Sequence, residues 1–168
     1  MRAYFFNNQY LNGIHNGIQA GHALDQLWSN FAEMKKMSKA SEAKFAMLRD
    51  FSKNHKTWIV LNAGDHDALD NLHTFMTGQN TYPFAMFQEP GLNFSNTSVV
   101  IILPERMYDD FARMVGKAVL KSQEPTTLMK VGDLIPQDRW TKEAYLSRQY
   151  TNWELEFLAR KELCGKAS

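Results

Sequence analysis

Cysteine is nearly absent from this chain of 168 residues, in which Cys164 is the single example. One cysteine can form neither an internal disulfide nor a zinc site built on paired cysteines. A disulfide-stabilised scaffold and a cysteine-based zinc domain are therefore excluded. Cys164 also stands far along the chain from the histidines, which argues against a cysteine nucleophile.

Long apolar runs are missing as well. No stretch approaches the ~20 apolar residues that a membrane helix requires. The first ten residues, MRAYFFNNQY, turn polar after the sixth, too soon for a secretory signal. The sequence also contains no phosphate-binding loop of the P-loop or GxGxxG type. We therefore expect a cytoplasmic protein in a reducing compartment, without a membrane partner.

The sequence also lacks an excess of charge of either sign, because it contains 19 Lys and Arg and 18 Asp and Glu. With 44% hydrophobic and 22% charged residues, the composition fits a folded domain rather than a disordered chain. The charges are unevenly distributed along the chain, since residues 34–56 carry seven basic and two acidic side chains. Residues 57–98 carry four acids and no Lys or Arg.

We call residues 34–56 the basic segment. Such a segment can follow a phosphate backbone without changing the net charge of the whole protein. The alternative is an ordinary solvated helical face. Its basic residues are Lys35, Lys36, Lys39, Lys44, Arg49, Lys53 and Lys56.

Four short β-rich runs predict strands at residues 3–6, 57–61, 84–88 and 98–103. Helical patterns separate them, except between the third and fourth runs, where the short link favours antiparallel pairing. The sequence thus predicts an α/β fold with a mixed four-stranded sheet and helices on both faces.

The helices have recognisable boundaries. The first carries apolar residues from Ile14 and Ile18 to Phe31, and the second begins at Ser41. Asp65 is expected to cap a third helix. We divide the chain into a domain of residues 1–121 and a helical C-terminal extension of residues 122–168, packed on that domain. Within the extension, TNWE from Thr151 to Glu154 has the pattern of a capping box.

Histidines are the candidate chemical residues of the chain. His15, Gln19 and His22 are spaced i, i+4 and i+7, so they form a polar stripe along one helix. The small residues Gly17 and Gly21 beside that stripe could admit a ligand backbone. The alternative is that neighbouring loops satisfy the histidines. His15 and His22 are too far apart to share one zinc ion, and we predict no metal site.

The beginning of the chain resembles the type 2 peptidyl-tRNA hydrolase family. In that family a strand is followed by Asn-Asp, a turn rich in Gly and Lys, and a helix carrying Ala-Ala-Gln-x-x-His-Ala. Here the strand is followed by Asn7 and Asn8, and the helix carries Gln19, His22 and Ala23.

A second match lies downstream. The family pattern Gln-Asp-Ala-Gly, followed after a loop by Thr-Val-Leu-x-x-x-Pro, is similar to QEPG at residues 88–91 and SVVIILP beginning at Ser98. The intervening TWIVLNAGDHDALDNL is similar to the family's second strand and helix. The resemblance covers about residues 3–121 and leaves the tail without a counterpart.

The resemblance implies hydrolysis of the ester that joins a peptide to the 3′ ribose of tRNA, without a metal or organic cofactor. The family's catalytic lysine, aspartate and threonine correspond to His15, Glu89 and Ser98. A protonated lysine supplies fixed positive charge, whereas a neutral His15 could instead act as a general base. Substrate-binding residues are expected at Asn7, Gln19, His22, Lys35, Lys36 and Lys39.

The three altered positions leave more than one function open. We expect a hydrolase that cleaves peptidyl-tRNA or a related acylated tRNA. The first alternative is a catalytically inactive module of the same fold that binds RNA or a protein. The second is an enzyme of different specificity, and a homodimer is compatible with any of these. Aromatic residues that could form an interface in the extension are Trp140, Tyr145, Tyr150 and Trp153.

Overall fold

The predicted mixed sheet is present in the computed structural model, which describes residues 1–122 and 150–166. Its four main strands lie in the order β2-β1-β4-β3. β1 and β2 are parallel, whereas β4 runs antiparallel to both β1 and β3. The predicted fold class is confirmed. The strands are β1 (Arg2–Asn7), β2 (Trp58–Asn62), β3 (Phe84–Glu89) and β4 (Ser95–Leu103).

A two-residue strand, β5 (Gly165–Lys166), extends the sheet by pairing antiparallel with β2. β5 was not predicted, because two residues are too few to show a periodic pattern. In the described ranges no helix combines the length and apolar character that a membrane span needs. The helices are α1 (Gly13–Ala32), α2 (Lys39–Asp50), α3 (His66–Thr77), α4 (Asp110–Ser122) and α5 (Asn152–Leu163).

Helices cover both faces of the sheet, as predicted. On one face, Ala3 and Phe5 of β1 belong to the same buried cluster as Ala23 and Leu27 of α1. Successive side chains of a strand point to opposite faces. The alternate residues of β1 therefore face the other way, where α3 contacts β4 and buries Leu69, Leu72 and Met76.

Side-chain caps fix the starts of two helices. Asp65 accepts a hydrogen bond from the Ala68 N–H at 3.0 Å, which confirms the predicted cap of α3. Ser38 caps α2 in the same way, accepting from the Ser41 N–H at 3.2 Å. The predicted start at Ser41 was therefore late, because the capping residue lies three positions before it.

The buried face of α1 differs from the predicted one. Ile14 and Ile18 were expected on the apolar stripe, yet their exposed fractions are 76% and 44%. The buried positions in the same turns are polar, at Asn16 and Gln19. These turns lie beside the polar ends of the strands, so hydrogen bonding decides which face is buried there.

The structure contains two compact units, Met1–Leu103 with Cys164–Ser168, and Pro104–Leu163. The predicted division after residue 121 and the packing of the extension stay predictions. In the second unit, α4 packs against α5. The Thr151 hydroxyl accepts from the Glu154 N–H at 3.2 Å, and Glu154 accepts from the Thr151 N–H at 2.8 Å. This confirms the capping box.

Two of the four aromatic residues predicted for an interface have packing partners within the second unit. Tyr150 is buried, its ring stacks on Phe111, and its hydroxyl donates to the Arg106 carbonyl oxygen at 2.6 Å. The Trp153 ring stacks on a neighbouring phenylalanine of α5. Trp140 and Tyr145 lie outside the described residues.

Gly116 provides a test of the packing between α4 and α5. A Cβ at this position would meet the Leu158 carbonyl oxygen at 2.7 Å, so Gly116→Ala forces the helices apart. We expect it to lower the free energy of unfolding by about 1–3 kcal/mol, measured by urea denaturation. Gly17→Ala is the matched control, because its Cβ would meet no described atom within 4 Å. It should raise stability by about 1 kcal/mol. Equal effects of the two changes would contradict this packing.

Candidate functional site

Polar residues gather where three strands end or begin. Asn7 is the last residue of β1, Glu89 is the last of β3, and β4 begins with SNTS. The antiparallel register places Asn7 opposite Ser98 and Glu89 opposite Ser95. The polar ends of β1, β3 and β4 therefore meet at the same end of the sheet.

A β-bulge turns two neighbouring hydroxyls of β4 toward α1. Phe87 pairs with Ser98 and Gln88 pairs with Asn96, so Thr97 is an extra residue between the two pairs. In a regular strand, Thr97 and Ser98 would point to opposite faces. Here both hydroxyls join hydrogen-bond chains that lead to α1, which is the local redirection of a side chain that a bulge provides.

The first chain of hydrogen bonds is buried and joins β4, β1 and α1. The Ser98 hydroxyl donates to Asn7 Oδ1 at 2.7 Å. The Asn7 amide in turn donates to the backbone oxygen of Asn16 at 2.9 Å and to its Oδ1 at 3.0 Å. Ser98 and Asn7 both have exposed fractions of 0%. The structure thus places a predicted catalytic residue and a predicted substrate-binding residue beneath the surface, where they hold the start of α1.

The second chain of hydrogen bonds leads from the interior of the protein to its surface. The Thr97 hydroxyl donates to Gln19 Oε1 at 2.8 Å, and the Gln19 amide donates to Glu89 Oε2 at 2.8 Å. His22 Nδ1 lies 3.8 Å from that same carboxylate oxygen. Side-chain exposure is 22% at Glu89 and 46% at His22. We call Gln19, His22, Glu89 and Thr97 the polar cluster.

The polar cluster has a defined orientation. Because an ionised Glu89 carboxylate can only accept hydrogen bonds, the amide nitrogen of Gln19 faces Glu89 and its oxygen faces the Thr97 hydroxyl. The His22 ring lies against the Phe87 ring with centroids 4.8 Å apart, which restricts its tilt. A carboxylate beside a partly exposed histidine is an arrangement that can remove a proton from water.

Hydrogen bonding keeps Glu89 charged. The pKa of its carboxyl is lowered, first by the hydrogen bond from Gln19 and then by the one from the Gly91 N–H. Proximity to His22 lowers this pKa further, and desolvation opposes the shift. Glu89 is therefore an anion at neutral pH that accepts protons in hydrogen bonds and attracts an adjacent positive charge.

His15 forms its hydrogen bond outside the polar cluster, and the three predicted lysines lie farther along the chain from it. His15 is exposed in the first turn of α1, with Nδ1 3.0 Å from Asn12 Oδ1. Gln19 and the end of α1 are thirteen residues apart, which corresponds to ~20 Å along the helix. The exposed Lys35, Lys36 and Lys39 follow that end, so they and the cluster lie toward opposite ends of α1.

Neighbouring histidines have structural partners. His66 Nδ1 accepts the Asn96 N–H at 2.9 Å, and the His73 ring packs near the Phe84 ring with centroids 5.7 Å apart. Burial lowers the pKa of His73, with a smaller opposing contribution from Asp70. In the part of the chain that the structure describes, no group of three or more His, Cys, Asp or Glu could hold a metal ion.

Thr97 and Asn16 were not predicted as site residues, although both organise the site. Thr97 stands next to Ser98, and no spacing rule shows which of two adjacent residues enters a bulge. Asn16 falls outside the i, i+4, i+7 stripe and was not considered. The only signal for Asn16 was its polar side chain on the face of α1 that lies toward the strand ends.

Comparisons with known proteins add no family assignment. A scan of the chain against models of protein families finds no match, and a search of curated proteins finds none either. The resemblance to type 2 peptidyl-tRNA hydrolases remains a resemblance in motifs.

The lowered pKa of Glu89 predicts a pH-dependent contribution to stability. A carboxyl whose pKa is lower in the folded state stabilises the fold fully above its unfolded-state pKa, ~4.3. That contribution is lost as the pH falls through the folded-state pKa. Glu89→Gln should therefore unfold more easily than wild type near neutral pH, and the gap should close below about pH 4.

Urea denaturation of both proteins at several pH values between about 7 and 3 measures that gap. Glu33→Gln, at an exposed carboxylate outside the polar cluster, is the matched control. A wild-type advantage over Glu89→Gln that persists unchanged in acid would contradict the role of the Gln19 hydrogen bond.

Proposed function

We propose that the protein hydrolyses the ester joining a peptidyl or related acyl group to the 3′ ribose of tRNA. The observation that supports this most is the polar cluster, in which Thr97 and Gln19 hold Glu89 beside the partly exposed His22. The resemblance in motifs supports the choice of substrate, because Gln19, His22 and Glu89 all fall within the matched segments.

Ester hydrolysis in this site needs one positioned water. His22 removes a proton from the water as its oxygen attacks the ester carbonyl carbon. The ionised Glu89 stabilises the positive charge that forms on the imidazole. When the tetrahedral intermediate collapses, the bond to the ribose 3′ oxygen breaks and His22 returns the proton to that oxygen. The products are the free carboxylic acid and tRNA with a free hydroxyl.

Gln19 and Thr97 are positioning residues in this mechanism. Gln19 contacts both Thr97 and Glu89, and its exposed fraction of 7% leaves little contact with solvent. His15 has a different part, because it lies on the same side of α1 but is exposed and bonds to Asn12. We assign it to contact with the 3′ end of the RNA rather than to proton transfer.

The basic segment supports RNA as the substrate. Lys35, Lys36 and Lys39 are exposed, and their charge lies near the end of α1 opposite to the polar cluster. An RNA stem is long enough to contact both, with phosphates near the lysines and its 3′ end at His22. A small free ester would gain nothing from the lysines.

A second candidate is a binding module that uses the same surface without turnover. The specific observation in its favour is Ser98, which corresponds to a catalytic threonine but is buried with its hydroxyl donated to Asn7. Salt-sensitive binding of tRNA without release of the acyl group is the behaviour expected of such a module.

Hydrolysis of N-acetyl-aminoacyl-tRNA by purified protein separates the two candidates. Because His22 transfers the proton, His22→Ala should lower kcat by about 10²–10⁴-fold, whereas His15→Ala should chiefly raise KM. His55→Ala is the matched control, at an exposed histidine that pairs with Asp50 outside the cluster. Wild-type kcat in His22→Ala would refute this assignment of roles. Absence of turnover by wild type between about pH 6 and 9 would favour the binding module.

Charge reversal tests the basic segment. The triple variant Lys35→Glu, Lys36→Glu, Lys39→Glu should bind tRNA more weakly, and its salt slope should fall by roughly 0.7–0.9 for each phosphate that the lysines no longer neutralise. The control variant Lys117→Glu, Lys121→Glu changes exposed lysines of α4 instead. Filter binding at several salt concentrations gives both slopes. An unchanged affinity and slope in the triple variant would identify the lysines as a solvated face.

A further inference from the structure

The open edge of the sheet is β3. In the order β3-β4-β1-β2-β5, no strand of the described ranges pairs with the outer side of β3. The opposite edge, by contrast, is covered in part by β5. An uncovered edge presents backbone N–H and C=O groups in the pattern that an added strand requires.

The register identifies which backbone groups point outward. The Pro83 carbonyl oxygen accepts the Ile102 N–H at 3.0 Å, so residue 83 faces β4. Backbone groups of successive residues in an antiparallel edge strand alternate in direction. Ala85 and Phe87 therefore also face β4, while the N–H and C=O of Phe84 and Met86 point away from the sheet.

A groove of about 550 Å³ follows this edge. Five consecutive residues, 84–88, form its floor, and α1 and α3 supply its walls through Gln26, Asn30, His73 and Thr77. Phe94, with an exposed fraction of 61%, stands at the groove and offers apolar surface. The volume suits a few residues of extended peptide with apolar side chains.

The groove leads to the polar cluster. Phe87 lines the groove and touches the His22 ring, and the strand that forms the floor ends at Glu89. A chain lying along β3 would therefore have one end at His22 and Glu89, where the proposed ester cleavage occurs.

We propose that the edge of β3 binds the peptide part of the substrate as an added β-strand. This inference rests on the proposed function for the identity of the peptide. The occupant pairs through the outward groups of Phe84 and Met86 and places apolar side chains near Phe94. Because the esterified C-terminus of the peptide lies beside Glu89, the last residue of β3, the peptide runs parallel to β3. The two outward residues offer up to four hydrogen bonds to such a strand, so about four peptide residues should fill the edge.

A second copy of this chain suits the edge less well. β3 has six residues, Phe84–Glu89, and Pro90 begins a turn directly after it, so a pairing partner cannot extend beyond Glu89. A proline at the end of an edge strand is a common means of preventing extended sheet-to-sheet pairing. The walls from α1 and α3 further favour a short ligand over another folded sheet.

The activity test compares two tRNA substrates that differ only in peptide length. One carries N-acetyl-Phe and the other an N-acetylated tetrapeptide ending in the same Phe. Because added backbone hydrogen bonds stabilise the longer peptide, wild type should cleave the tetrapeptidyl ester with a kcat/KM about 10-fold higher or more. Met86→Pro removes an outward N–H without removing a bond to β4, and Phe94→Ala removes apolar surface from the groove. Both should bring the ratio close to one.

Leu92→Ala is the matched control, since Leu92 is another exposed apolar residue of the same turn but does not line the groove. It should leave the ratio at the wild-type value. A wild-type ratio near one, or an equal loss in Leu92→Ala and Phe94→Ala, would overturn the inference while ester cleavage itself would stand.

Binding of a peptide without RNA separates the two proposals. N-acetyl-Ala-Val-Ala-Phe amide, titrated into ¹⁵N-labelled protein, should shift the amide signals of Phe84 and Met86. If wild type cleaves neither ester but these shifts occur, peptide binding at the edge of β3 is supported and the proposed function fails. Absence of the shifts contradicts peptide binding at this edge. A concentration-dependent dimer in sedimentation that Met86→Pro dissolves would show that a second copy occupies the edge, which also overturns the inference.

Discussion

The amide of Asn7 is the contact on which the arrangement of this end of the sheet depends. It lies at the end of β1, accepts from Ser98 of β4 and donates twice to Asn16 of α1. All three side chains are buried, so breaking one bond leaves a buried polar group unsatisfied at a cost of about 1–3 kcal/mol. The first turns of α1 are therefore fixed in rotation relative to two strands. Gln19, one turn further along, is directed toward β3 as a consequence.

The bulge at Thr97 links this fixed helix to the polar cluster. Without the extra residue, only one of the hydroxyls of Thr97 and Ser98 could reach the α1 side of the sheet. With it, the Ser98 hydroxyl donates to the buried Asn7, while the Thr97 hydroxyl donates to the oxygen of Gln19, whose amide nitrogen donates to Glu89. Two separate hydrogen-bond chains thus begin at adjacent residues of one strand. The hydrogen bond between Gln19 and Glu89 does not involve the Ser98 hydroxyl, which is donated to Asn7.

Local signals predicted most of the fold and part of the site. The β-rich runs and the caps at Asp65 and Thr151 are properties of a few adjacent residues, and the structure confirms them. The burial of α1 was harder to predict, because Ile14 and Ile18 are exposed beside a helix face where polar groups find buried partners. Periodicity assumes that apolar residues define the buried face. That assumption fails where the neighbouring strand ends are themselves polar.

Glu89 occupies a position that follows from topology rather than from sequence spacing. It is the last residue of the edge strand, so it belongs both to the polar cluster through Gln19 and to the open border of the sheet. An interior strand could carry the same carboxylate, but both of its sides would be occupied by neighbouring strands. Only an edge strand can direct a bound extended chain toward a carboxylate at its own end. In the turn after Glu89, the Gly91 N–H donates a hydrogen bond to the Glu89 carboxylate. This bond holds the carboxylate at the end of β3.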